Sequence, residues 1–288
     1  MELAWRGTER LGKMLQMAIV ECLGNLQLEP QSLPLLLCVA ERDRPGRHDR
    51  LAADLVKALQ VNNGLIFHPT RSAVIEQGRV GAAIALAHAR KLITEDGVAQ
   101  VLVAGVDSLL ERRALRVYEE RDRLKTSVNS NGFVPGEAAS AILLGQAAGE
   151  EDLLCVGLGY GLEQATVEGT VPSRAEGMTV AINDALRDAQ CEMADLDFRI
   201  TDNSGEQYYF KEAALALART LRQRKEEFDI WHPADCIGEV GAAIGPALLV
   251  VALFAARKGY AAGNNILCCT GNDSGRRACA VLRYTGAT

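Results

Sequence analysis

Apolar residues fall along the chain in two alternating rhythms. Short runs with no polar break read as strands: Leu33–Ala40 ("LPLLLCVA"), Ala99–Asp107 ("AQVLVAGVD"), Ala138–Gly145 ("AASAILLG") and Leu153–Leu162 ("LLCVGLGYGL"). A continuous run of this length marks a strand buried on both faces. Between them the spacing changes to that of helices. It predicts helices over Thr8–Gly24, Arg47–Leu59, the alanine-rich Gly78–Thr94, Pro172–Gln190 with Gly177 a mild interruption, Tyr209–Lys225 and Gly241–Lys258. Shorter strands are expected at Gly64–Pro69, Phe198–Asp202 and Phe228–Pro233, and two more, Asn265–Gly271 and Ala278–Tyr284, close the chain.

Strands alternating with helices imply a mainly parallel, layered α/β architecture. Each half ends in two successive strands, which suggests a repeat of fold without a visible repeat of sequence. The acidic loop "GEEDLL" is the expected seam, giving halves 1–150 and 151–288.

Composition narrows the function. The 288 residues are 48% hydrophobic with a formal net charge of −6, an ordinary globular balance that lacks the basic footprint of a nucleic-acid binder. It does not suit an anionic membrane surface either. No opening segment has the make-up of a signal peptide, and the longest apolar stretch, Pro246–Ala256, is too short to span a bilayer. The eight cysteines form no CxxC pair, so buried, reduced thiols in a cytoplasmic protein are expected.

Four stretches together resemble the β-ketoacyl synthases of the thiolase superfamily. "VLVAGVDSLL" is similar to the strand and turn after that family's nucleophile helix. "NSNGFVPGEAASAILLG" resembles its D-G-F-V-x-G-E-G-A motif and is the most specific match. "IGEVGAAIGPALL" resembles its I-G-H-x-x-x-A-A-G turn, and "TGNDSGRRACAVL" its closing G-F-G-G-x-N-A loop. The order and approximate spacing are the family's, and the likeness covers nearly the whole chain. It implies a thiolase-like fold of two pseudo-repeated α/β/α halves.

The resemblance also implies where the reactive groups belong: a cysteine at a helix start and two histidines that assist decarboxylation. Counting back from "AHARKLI", the cysteine position falls on Gly78, within a window of Glu76, Gln77, Gly78 and Arg79. No cysteine lies between Cys38 and Cys155, so no small shift of register supplies a thiol. The histidine positions fall on Asp202 and Glu239. The lysine position falls near Ala234, and the aromatic gate of the closing loop on Asp273. Ionised carboxylates would repel an enolate, and protonated ones would need strongly raised pKa values. Gln77 stays open as a substitute, because chain-length-factor subunits carry glutamine at the cysteine position.

Other readings are bland beside these. Asp202 and Glu239 with His232 lack metal-ligand spacing, so no metal is expected, and no cofactor is implied. "VGLGYGL" has the wrong glycine spacing for a phosphate loop. His68 and His88 have no partner pattern, and Cys236 precedes its turn rather than opening a helix. The family's first strand, which the resemblance places centrally in the N-terminal sheet, has no counterpart. The sheet is rebuilt, a partner supplies the strand, or the chain is truncated.

The expected role is therefore a catalytically degenerate ketosynthase homologue of fatty acid or polyketide synthesis. It would have no condensing activity, although its homology label would still be 3-oxoacyl-acyl-carrier-protein synthase. It would pair with a ketosynthase-like subunit as a homodimer or heterodimer through the segment Asn62–Val74, and it would meet an acyl carrier protein. Two alternatives stay open: a decarboxylase or hydrolase using Gln77, Asp202 and Glu239, and a structural oligomer component with no acyl link.

Overall fold

The computed structural model describes residues 5–24, 26, 32–62 and 67–286, with only the backbone of 61 and 62. Two compact units are interleaved in sequence. The first comprises Met1–Leu124, Val134–Gln146 and Ile237–Ala247, and the second Lys125–Phe133, Ala147–Cys236 and Leu248–Thr288.

The first unit is built on a four-stranded sheet of β1 (Leu35–Val39), β2 (Ala73–Glu76), β3 (Gln100–Ser108) and β4 (Glu137–Gly145). Its order is β2-β1-β3-β4, with β1 parallel to β2 and β3, and β4 antiparallel to β3. Strand β1 serves both faces, as its unbroken apolar run requires. Leu35, Leu37 and Val39 join a core with Leu11, Leu15 and Ile19 of α1 (Gly7–Leu23) and Leu51, Leu55 and Leu59 of α2 (Leu51–Asn62). Leu36 and Cys38 face the other way, toward Ala85, Ala89 and Leu92 of α3 (Gly81–Thr94).

The second unit holds a five-stranded sheet of β5 (Leu153–Leu162), β6 (Phe198–Thr201), β7 (Ile230–Trp231), β8 (Asn265–Gly271) and β9 (Arg276–Tyr284), in the order β5-β9-β8-β6-β7. Strands β6, β7 and β8 run parallel, and β9 is antiparallel to both neighbours. Read as β7-β6-β8-β9, this sheet repeats the order and directions of β2-β1-β3-β4. The repeat corrects one expectation. The opening strand of the second half, β5, is an edge strand rather than a central one, so the place without a counterpart in the first sheet lies beside β4. Among the described residues no strand pairs with that edge.

Helix α5 (Glu176–Ala189) lies directly on β5, and the glycines of "VGLGYGL" explain how. Gly157, Gly159 and Gly161 share one face of the strand. A Cβ on each would stand 2.2, 2.0 and 1.9 Å from the carbonyl oxygens of Ala185, Ala181 and Gly177. The alternating glycines are a seat for a helix backbone. Gly177 opens that helix instead of interrupting it, so the helix starts four residues later than the apolar pattern predicts.

Helix α8 (Ile244–Arg257) follows its predicted span closely, while α6 (Gln207–Thr220) starts two residues before its predicted span and ends five residues short of it. Two short helices were not predicted. In α4 (Arg112–Glu120) only Ala114 and Tyr118 are buried, too narrow a stripe to register as a helical period, and α7 (Ala234–Ile237) is a single turn. The strand predicted at Gly64–Pro69 lies partly outside the described residues. Phe67–Pro69 are not a strand, and β2 begins at Ala73 instead. Of the predicted pairing segment Asn62–Val74, residues 63–66 are outside the description, but β2 is an edge strand of its sheet. Among the described residues no helix is long and apolar enough to cross a membrane.

Candidate functional site

Gly78 sits at the turn between β2 and α3. Strand β2 ends at Glu76, Gln77 leaves the extended conformation, Gly78 takes φ +52°, and one tight turn over Gly78–Val80 leads into the helix. The left-handed backbone suits glycine and is costly for other residues. The site is also filled. A Cβ on Gly78 would lie 1.9 Å from Glu41 Oε2. The parallel register accounts for this: Val39 pairs with Glu76, so two residues further along, Glu41 comes level with Gly78.

The turn before α8 repeats this construction. Gly241 takes φ +53°, a tight turn over Gly241–Ala243 follows, and a Cβ there would meet Asp107 Oδ2 at 2.1 Å. Asp107 is the last residue but one of β3 and is buried. Its Oδ2 accepts from Ala242 N (3.2 Å), and its Oδ1 accepts from Ser108 N (2.9 Å) and Arg44 Nη2 (2.6 Å). Burial pushes the Asp107 carboxyl above its ordinary range, against the pull of Arg44 and the two amides, and the charge of Glu239 pushes the same way. Each glycine turn thus carries a carboxylate from the end of a neighbouring strand, placed where a side chain would begin.

Glu239 is buried and engaged on every side. Its N–H donates to Val134 O at 2.7 Å, and its carbonyl accepts from Gly136 N at 2.9 Å. Its Oε1 accepts from Gly241 N at 2.9 Å, and its Oε2 accepts from buried Arg79 Nη1 at 3.0 Å. The "FVPGE" motif is the strap that holds this turn. A Cβ on Gly136 would strike Ile237 O at 2.4 Å, so glycine is needed there for the close approach. Gly78 and Glu239 are therefore brought together in the first unit, linked through Arg79.

The thiol beneath α3 is Cys38. Its Sγ lies 3.5 Å from where a Gly81 Cβ would be, and burial pushes its pKa up to about 12. It is protonated at neutral pH and no candidate nucleophile.

Asp202 belongs to the second unit. It follows β6, is buried, and its Oδ2 accepts from Gly271 N at 2.9 Å. It lines a cavity with Thr201, Asn203, Tyr209, Glu212 and Cys269. Asn203 is buried in the wall, and its Nδ2 has no hydrogen-bond partner among the described residues. Beside the cavity Arg277 Nε pairs with both oxygens of Glu212 at 2.9 and 2.8 Å. Asp273, where the resemblance led the aromatic gate to be expected, accepts from Tyr209 OH at 2.6 Å.

The remaining candidates have ordinary surroundings. His232 pairs with exposed Asp235 at 2.9 Å and packs edge-on against Phe210. His68 Nδ1 caps Thr70 N and Arg71 N in a loop. Ala234 is buried at the start of α7, and Cys236 is exposed, against the expectation of buried thiols. Among the described residues no three His, Cys, Asp or Glu side chains gather as a metal site. Glu41 and the Arg79–Glu239 link were not foreseen. Arg79 lay inside the sequence window for the nucleophile, but its partner is 160 residues away.

No family model matches the chain, and no curated protein matches it. Solved structures do. One is the structure described as "AntDE:AntF (apo): type II PKS acyl-carrier protein in complex with its ketosynthase bound to the hexaketide". It is similar with TM-score 0.75 and 15% identity over 94% of this chain and 84% of that one. The ishigamide ketosynthase/chain length factor is similar with TM-score 0.76 and 15% identity, over 98% and 84%. The ketosynthase from module 6 of the bacillaene synthase of Bacillus subtilis 168 gives TM-score 0.70 and 15% identity, over 96% of this chain and 57% of that one. The chain has the thiolase-like fold of these ketosynthases and chain length factors.

Proposed function

We propose that this chain is a non-catalytic ketosynthase-like subunit of fatty acid or polyketide assembly. It pairs with a ketosynthase-like partner or a second copy of itself, and it meets an acyl carrier protein. One observation carries the reading: at Gly78, where the resemblance places the acyl-accepting thiol, the Glu41 carboxylate occupies the space a side chain would enter. Covalent acyl transfer needs a nucleophile at that turn; the turn has none, and a side chain there would have to displace the Glu41 carboxylate.

The carboxylates at the other two positions support the same reading. Glu239 is held by Arg79 and the Gly241 amide, and Asp202 by the Gly271 amide. Each is satisfied as an acceptor within its own unit. An enolate oxygen is stabilised by hydrogen-bond donors, and an ionised carboxylate offers none.

The pairing part rests on the fold and on the descriptions of two similar structures, a ketosynthase/chain length factor and a ketosynthase with its acyl-carrier protein. It also rests on the position of β2 at a sheet edge, because an open edge strand favours pairing with another strand. Sedimentation at micromolar concentration tests the subunit reading. A dimer of twice the 31.0 kDa chain mass is expected, or a stable complex with a co-expressed ketosynthase. A stable monomer that also fails to associate with any ketosynthase offered would overturn it.

A further inference from the structure

Cys269 of β8 and Cys279 of β9 are register partners in an antiparallel pair. Residues so placed have Cα atoms about 4.5–5.5 Å apart, inside the roughly 4.4–6.8 Å window that a disulfide spans. Their sulfurs are 2.7 Å apart, closer than two thiols in ordinary contact but still longer than the roughly 2.04 Å of an S–S bond. The neighbouring thiol does not compete. Cys268 points to the opposite face of the sheet and pairs in register with Ala280.

The surroundings differ for the two sulfurs. Cys269 is 6% exposed and lines the cavity that holds Asp202 and Asn203. Cys279 is 1% exposed, with its sulfur 3.6 Å from Met178 Sδ. Burial holds the Cys279 thiol well above the ordinary cysteine range. Cys269 therefore borders the cavity, and Cys279 does not.

We propose that Cys269 and Cys279 form a redox-active dithiol that closes to a cross-strand disulfide when a hydroperoxide enters this cavity. The Cys269 sulfur attacks one peroxide oxygen, and the Cys269 proton passes to the departing hydroxide. The O–O bond breaks, hydroxide leaves from the peroxide, and Cys269 becomes a sulfenic acid. Cys279 attacks that sulfur, the S–O bond breaks, and the departing oxygen leaves as water with the Cys279 proton. In total two thiols lose two protons and two electrons, and hydrogen peroxide becomes two waters. The bond staples β8 to β9 two residues before Gly271, whose amide holds Asp202. This inference does not depend on the subunit reading.

The test uses the wild-type protein and hydrogen peroxide. After exposure the protein is denatured, alkylated without reduction and digested. The expected result is a Cys269–Cys279 linked peptide, lighter than the two thiol peptides by about 2 Da and released by dithiothreitol. Cys279→Ser should remove the linked peptide and leave Cys269 trapped as its sulfenic acid by dimedone. Recovery of both cysteines as alkylated thiols, at peroxide levels that oxidise exposed Cys236, would overturn the proposal. Linkage of either cysteine to Cys268 or Cys155 would overturn it equally.

Discussion

Glu239 and Arg79 are each more than nine-tenths buried, and their ion pair holds the turn that carries Gly241. Removing one partner of such a pair leaves an uncompensated charge, at a cost of about 3–5 kcal/mol. Arg79→Met and Glu239→Leu should each destabilise by that order, and the double variant by much less than the sum. Urea unfolding of the four proteins measures the coupling. Strict additivity would show that the two side chains do not depend on each other, and the structural role given to Glu239 would fail. At this scale the sequence was half legible. Gly78 is the position that counting back from "AHARKLI" gives, and it carries no thiol. Glu41 was hidden because its approach depends on the register of β1 against β2, and Arg79 because its partner belongs to a distant segment.

Elements here are positioned by close backbone approaches and by a few charged ties. The face of β5 that receives α5 tolerates no side chain at its centre. A Gly159 Cβ would meet both Ala181 O at 2.0 Å and Ala185 N at 2.4 Å, neither of which can swing aside as a side-chain tip would. Gly159→Ala is expected to destabilise by about 3 kcal/mol through overpacking. Gly149→Ala, where nothing lies within 4 Å, should change stability by less than about 0.5 kcal/mol. Comparable thermal shifts for the two would contradict the helix-seat account. The glycine pattern was visible in the sequence, but its meaning required knowing which helix returns to that strand.

A charged tie joins α1 to β4. Arg10 pairs with Glu137, which also accepts from Ser108 Oγ at 3.1 Å. The hydrogen bond from Arg10 holds the Glu137 carboxyl below its ordinary range, burial opposes this, and Ser108 adds to it. A carboxyl with a lowered folded-state pKa contributes stability above the unfolded value of about 4.3 and loses it as pH falls through the folded value. Unfolding free energy should therefore fall with acid below about pH 4.3. Glu137→Gln should flatten that slope and lower stability at neutral pH. An unchanged acid slope in the variant would remove Glu137 from the account.

Across the whole molecule, two sheets share one strand order, and two glycine turns of the first unit are each met by a carboxylate. Alternating apolar runs and helical spacing made the α/β repeat readable before any coordinates. The strand order was not readable, because it depends on which strands pair and in which direction. That is why the strand without a counterpart was expected at the centre and belongs at an edge. The same limit applied to chemistry. Motifs that build the fold were recognisable, as were Gly78, Asp202 and Glu239 at the expected positions, but the approach of Glu41 to the Gly78 turn was not.

The central claim is that this fold is kept without condensing chemistry. Incubation of the purified protein with acyl- and malonyl-carrier substrates, followed by intact-mass and product analysis, tests it most directly. The predicted result is no covalent acyl adduct and no ketoacyl product above about a thousandth of a working synthase's rate, since losing a single catalytic group already costs roughly 10²–10⁴-fold. An acyl adduct on any residue, or a ketoacyl product above that level, would contradict the account.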